Sequence, residues 1–340
     1  MTSTPRVPPH RGGPVVDLHV HGPDFLPQPF RRLYRSTRPG RPRPDGFGVL
    51  HRAGVDVAVA NAVGDPIVTR WYLRRDPWQA VDEQLARIER GANDAGVGIA
   101  TSRAELDRAI ADRRPAVVLG VEGADALGDD LDRVDRWHQR GVRMVVPVHL
   151  TDNRVGTTCL PWQHYTGPVP VRRPADPGLS PFGHEVIRRF QRAGILVDVS
   201  HADDRTLHDI VSVAEAPVVA SHTGARTRRD FARFLDDDGL RAVASTGGVI
   251  GLWPYRGVGK GVRDMDDLMG HARHIAEIVG PEHLCLGTDM NGVPRHMAGY
   301  RGERDFPTIA DALVEAGFTA DEVAGIVGEN ALRVLSTVMT

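Results

Sequence analysis

The chain is poor in cysteine, in excess positive charge and in long apolar runs, and each lack narrows what it can be. Only Cys159 and Cys285 occur in 340 residues, so no disulfide framework is available and a reducing, cytoplasmic setting is expected. Lys and Arg number 42 against 44 Asp and Glu, a net charge of −2. That removes the basic excess a nucleic-acid or membrane-surface partner would require. No run approaches the roughly 18 consecutive apolar residues of a membrane-spanning helix. The opening residues, MTSTPRVPPHRGGP, lack the apolar segment of a secretion signal and read as a flexible arm over 1–14. No G-x-G-x-x-G follows an early strand, which counts against a dinucleotide-binding open sheet.

What is present is an alternation. Short Val-, Ile- and Leu-rich runs fall at 15–20, 55–61, 116–121, 143–149, 195–200, 217–221, 248–252 and 284–288. They are apolar on both faces, as parallel strands covered by helices are. Helical patterns separate them at 77–95, 102–112, 128–140, 181–193, 203–213, 237–245 and 264–279, with a final pair at 306–316 and 319–336. Asp203, Asp204 and Asp264 stand where N-caps belong; Gly96, Gly141, Gly194 and Gly280 stand where helices end. Eight such strands predict a single α/β domain over 15–340, a (β/α)8 TIM barrel. Two segments interrupt the pattern, at about 23–47 and 151–180. In a barrel both overhang the C-terminal face, where Phe25, Phe30, Tyr34, Trp162 and Tyr165 are candidates to line a pocket.

Metal-binding residue types gather at the ends of these runs. His19 and His21 are two apart, so on a strand both imidazoles face one side. Glu122 ends VVLGVE, and a carboxylate there is costly to bury unless paired or bound to a cation. His201 and His222 end consecutive runs, one βα unit apart. Neutral imidazole with carboxylate suits zinc and its neighbours. Asp289, after the eighth run, is placed to act as a general base beside a metal-activated water. His149, after the fourth, is either a further ligand or a donor to an oxyanion. One arginine among Arg226, Arg228, Arg229 and Arg233 is a candidate clamp for a substrate carboxylate. The remaining histidines read as structural or exposed.

The blocks VEGADALGDDLDRVDRWHQRGVRMVVPVHLTDN, GLSPFGHEVIRRFQRAGILVDVSHADDRTLHDIV, APVVASHTGAR, GGVIGL and HLCLGTDMNGV, with DLHVH at the start, resemble the membrane dipeptidase (renal dipeptidase-type) metallopeptidases of the amidohydrolase superfamily. The resemblance implies a barrel holding two zinc ions bridged by Glu122, with His19 and His21 at the first motif and His201 and His222 on the second ion. It implies that Asp289 is the catalytic aspartate, that His149 contacts the substrate carbonyl and that Arg233 holds the substrate carboxylate. The implied reaction is cleavage of a dipeptide, or of a similar small carboxylate-bearing amide, by metal-bound hydroxide. The resemblance also suggests a homodimer. One departure stands out: the family's first motif is typically H-x-D, and here it is His19-Val20-His21. That change, with the unfamiliar 151–180 segment, leaves a lactone or a biosynthetic amide conjugate as an alternative substrate. A barrel that binds metal without turnover is the non-enzymatic alternative.

Overall fold

Valine-rich strands that pair only in parallel need a helix to carry the chain back between them, and the protein is built from that unit. The structure, a computed structural model, describes residues 13–23, 45–166, 171, 173–257, 259–293 and 295–339. Most of the proposed arm lies outside the described residues, as do Phe25, Phe30 and Tyr34 and the side chain of Tyr165.

The strands are β1 (Val16–His21), β2 (Val57–Val63), β3 (Gly98–Ile99), β4 (Ala116–Glu122), β5 (Val142–Val146), β6 (Leu196–Asp198), β7 (Val218–Thr223), β8 (Ile250–Leu252) and β9 (Leu284–Leu286). All pair in parallel, in the order β1-β2-β4-β5-β6-β7-β8-β9, with the two-residue β3 added beside β4. A parallel bridge between Val20 and Met290, and the bond from the Asp289 amide to the His19 carbonyl at 2.8 Å, bring the last strand back to the first. The eight expected strands form a nearly closed α/β barrel.

Helices 77–94, 181–192, 204–213, 237–245 and 265–279 lie where the periodicity placed them. Asp203 and Asp264 cap theirs, each accepting a backbone N–H three residues on. Gly194 follows its helix at φ +76°, where a side chain would be strained.

Three boundaries differ from expectation for identifiable reasons. The fourth expected strand, β5, ends at Val146 instead of 149, because Pro147 has no N–H to continue the ladder. The helix expected from 128 begins at Arg133; Asp130 accepts the Asp132 amide at 3.0 Å, which favours a turn. The last helix is interrupted at 325–329 by a wider π turn, where Gly328 packs against the carbonyl of Pro14 so closely that a Cβ would lie 1.8 Å from it. The π turn at Ile67–Tyr72 and the helix at Gly48–Ala53 carry no clear periodic signal and were not expected.

The core falls into two parts. Strand starts such as Val16, Val57, Val219 and Cys285 pack with Val334, Leu335 and Met339 of the final helix, which closes the N-terminal end of the barrel. The larger part fills the layer between strands and surrounding helices. With that end sealed, the polar ends of the strands are left at the other.

Candidate metal centre and active site

A TIM barrel interior is ordinarily filled by branched aliphatic side chains. Here its upper floor is polar. Asp198, on β6, accepts the amides of Ser200 and Ser221 at 3.0 Å each and the Ser200 hydroxyl at 2.6 Å. Asp17, on β1, accepts the amides of His19 and Thr288 at 3.0 Å each and the Thr288 hydroxyl at 2.6 Å. Ser200, Ser221 and Thr288 immediately precede His201, His222 and Asp289. The two buried aspartates thus fix the backbone from which those side chains project. Opposite them, Asn61 on β2 fits only because residue 120 is glycine: a Cβ there would lie 2.1 Å from its Oδ1.

On this floor Glu122 is the hub. Its Oε1 lies 3.3 Å from His19 Nε2, 3.2 Å from His201 Nε2 and 3.8 Å from His222 Nε2. Its Oε2 lies 3.3 Å from His21 Nε2 and 3.4 Å from His149 Nε2. His19 and His21 approach to 3.3 Å between Nε2 atoms, and His201 and His222 to 3.1 Å. Asp289 Oδ1 stands 3.3 Å from His21 Nε2. Every candidate metal ligand read from the sequence is therefore brought to one place, all buried except the half-buried His149.

The spacing fits a metal. Donors at about 2.0–2.1 Å from a tetrahedral ion stand about 3.3 Å from one another. Those are the separations within the His19–His21–Glu122 group, one of three groups among the described residues that could hold an ion; Glu122 with His149 and His201, and His19 with Asp198 and His222, are the others. The outer nitrogens are held as ligand imidazoles usually are. His19 Nδ1 meets Ser221 Oγ at 3.1 Å, His21 Nδ1 meets the Asn61 carbonyl at 3.1 Å, and His222 Nδ1 meets Ser221 Oγ at 2.8 Å. His201 Nδ1 is buried and without a partner among the described residues.

The electrostatics divide the histidines into two kinds. Burial opposes charge on His19, but the Glu122 carboxylate outweighs it and raises the imidazole to about 10. Burial likewise opposes charge on His21, and hydrogen bonds to Asp289 and Glu122 bring it up to about 9. For His201 and His222 burial wins, helped by the nearby Arg233, and both fall well below the usual histidine range. Burial pushes Glu122 up, but the cationic His149 and His19 hold it well below the ordinary carboxylate value.

His149 and Arg233 flank this centre. His149 sits in the loop past β5, its Nδ1 hydrogen-bonded to the buried Asp65. Burial lowers its basicity, but Asp65 and Glu122 raise it further. The 151–180 segment is fastened here: the Thr158 hydroxyl donates to the carbonyls of His149 and His201, and the Cys159 amide donates to His201 O at 2.8 Å. Arg233 alone of its four neighbours is fully buried. It donates to the carbonyls of Ser200 and His222 and lies 4.8 Å over the Trp253 ring. Among the described residues no carboxylate lies within ion-pair distance of it. Arg226 and Arg229 are instead paired, with Asp204 at 2.7 Å and Asp267 at 3.2 Å.

Sequence reasoning missed Asp17, Asp198, Asn61 and Asp65. Asp17 and Asp198 had a signal, a carboxylate within the same apolar run as a candidate ligand histidine (VVDLHVH, ILVDVSH). Asp65 had a weaker one, two residues past the end of β2.

Comparison with known proteins agrees with this architecture. The profile of the membrane dipeptidase family, peptidase family M19, matches residues 57–340, so the matched stretch begins after His19 and His21. An uncharacterised dipeptidase, C965.12, of Schizosaccharomyces pombe is 34% identical over 224 residues, covering 64% of this chain and 52% of that protein. Dipeptidase tcpJ of Claviceps purpurea is 28% identical over 273 residues, covering 78% and 60%. The chain thus spans little more than half the length of these relatives. A crystal structure of a metallopeptidase from Rhodobacter sphaeroides, liganded with a phosphinate mimic of the dipeptide L-Ala-D-Ala, shares the fold with TM-score 0.76 at 20% identity, covering 95% of this chain and 99% of that one. With the profile matched from the second barrel strand to the C-terminal residue, this chain belongs to the membrane dipeptidase family, peptidase family M19.

Proposed function

We propose that the chain is a zinc-dependent hydrolase cleaving the amide bond of a dipeptide or a similar small substrate with a free carboxylate. The observation that carries the reading is the Glu122 hub, one buried carboxylate within 3.8 Å of the Nε2 atoms of His19, His21, His149, His201 and His222. Two ions fit this set: His19, His21 and Glu122 would hold one, and His201, His222 and Glu122 the other. When bound, zinc supplies Lewis-acid polarisation of the scissile carbonyl and activates water at neutral pH.

The chain's own groups do the rest. Asp289 takes the proton of the attacking water and returns it to the leaving amine. Its carboxylate is held beside His21 by an unusual backbone, φ +55°, at the turn after β9. Asp65 fixes the His149 ring and favours its protonated form, so Nε2 presents a hydrogen to the developing oxyanion. Arg233, a buried cation with no counter-ion among the described residues, receives the substrate carboxylate. The dipeptide mimic in the Rhodobacter sphaeroides protein supports the substrate class. The two thiols, both free, suit a cytoplasmic enzyme, and among the described residues no helix is long and apolar enough to cross a membrane.

The test pairs elemental analysis with a screen of dipeptides and lactones. Dipeptide turnover that is lost to a chelator and restored by zinc is the expected result. Asp289→Asn is expected to keep the metal and lose about 10²- to 10⁴-fold in kcat. Wild-type turnover by that variant, or lactones outpacing dipeptides, would sink the reading.

A further inference from the structure

We propose that the indole N–H of Trp253 is a second donor for the substrate carboxylate, working beside Arg233; this rests on the hydrolase reading above. Trp253 is the first residue past β8. Its ring is fixed on three sides. It stacks on Tyr255 at 4.4 Å and 16°, meets the His222 ring edge-on at 5.3 Å, and carries the Arg233 guanidinium at 4.8 Å. Its amide donates to the Thr223 carbonyl at 3.1 Å, which locks the backbone as well.

In this tight setting two buried donors have no acceptor among the described residues, Trp253 Nε1 and Arg233 Nε. A buried donor left unmade costs about 1–3 kcal/mol, more when charged. If Trp253 served only to fill volume, phenylalanine would do so without that cost. The orphans sit on two side chains that touch each other and the same metal-site histidine, so one incoming acceptor can answer both.

The Arg233 geometry says where a second donor fits. Its Nη1 and Nη2 each spend one N–H on the carbonyls of Ser200 and His222, which fixes the guanidinium and leaves its buried Nε as the donor without an acceptor among the described residues. Nε can take one carboxylate oxygen. The other oxygen is left for Trp253. A primary amide in the same place would turn N–H groups toward a donor and be rejected, so the pair selects an acid over its amide.

The experiment compares wild type and Trp253→Phe, both metal-loaded, on a dipeptide and on the same dipeptide as its C-terminal amide. Phenylalanine keeps a ring for the stack and removes the N–H. The preference for acid over amide, taken as the ratio of kcat/KM, is expected to fall about 10- to 100-fold. The loss should appear in KM for the acid, with the amide little affected. An unchanged ratio overturns the proposal. If the Phe variant fails to fold or to hold metal, benzothienylalanine at position 253, which has the indole shape without the N–H, gives the same comparison. Should wild type hydrolyse neither peptide, the hydrolase reading fails by itself. Titration with alanine and alaninamide then reads the carboxylate site directly, and equal alanine affinity in wild type and variant overturns it.

Discussion

The two kinds of histidine at the centre predict two kinds of metal binding. In the metal-free protein His19 and His21 titrate at about 10 and about 9, so both are protonated at neutral pH. His201 and His222, depressed well below the usual range, are already neutral there. A metal ligand must be the free base, so an ion entering between His19 and His21 displaces about two protons, and one entering between His201 and His222 displaces almost none. With two protons released, the affinity of the first site rises about a hundredfold per pH unit between about pH 7 and 9, or about 2.7 kcal/mol per unit. Above that range the gain per unit halves and then vanishes as His19 passes its own midpoint.

The assay is calorimetric titration of the chelated protein with zinc, in two buffers of different ionisation enthalpy, at pH 7 and pH 8. One class of site should release about two protons per ion and tighten steeply; the other should hardly respond. Lowering the pH should therefore strip one ion before the other. Without metal the sign reverses. The charged His19 and His21 stabilise the chelated fold fully below the ordinary histidine value of about 6.5, and that stabilisation is lost as pH rises through about 9 to 10. If both ions bind with the same pH slope, or neither binding event releases protons, the assignment of charge within the site is wrong.

Asp65→Asn weakens the grip on His149 Nδ1 and is expected to cost about 10- to 100-fold in kcat, with metal content unchanged by elemental analysis. Gly292→Ala would place a Cβ 1.9 Å from Asp289 Oδ1 and 2.7 Å from His21 Cδ2; displacing Asp289 by about 1 Å should lower kcat about a hundredfold, while circular dichroism shows the barrel intact. Arg233→Met removes a buried charge that has no ion-pair partner among the described residues, so the melting temperature should hold or rise while KM for carboxylate substrates increases at least about tenfold. A melting temperature that falls sharply in this variant would mean the arginine serves the fold and not the substrate.

The contrast between Arg233 and Glu122 shows what a single sequence can and cannot convey. Glu122 was legible because its local surroundings are wrong for it: an apolar run ending in a carboxylate has few uses other than a charge partner. His19, His21, His201, His222 and Asp289 were legible for the same reason, and the barrel then explains how they meet. Arg233 has no such local anomaly. It is one of several arginines in a polar loop, and resemblance to a family marked it, not the residues around it. Its distinction is to be buried among carbonyls whose strands lie earlier in the chain, while Arg226 and Arg229 find carboxylates. Asn61 was illegible for a related reason, since its role depends on the missing Cβ of Gly120 on the next strand. Asp17 and Asp198 lie between these cases. Each sits in plain view two or three residues before a candidate ligand histidine, yet what each holds is the backbone of a neighbouring strand, Thr288 for Asp17 and Ser221 for Asp198. A residue that touches the metal site can be guessed from its own chemistry. A residue that aims the site is defined by a pairing across the barrel, and only the closed sheet reveals it.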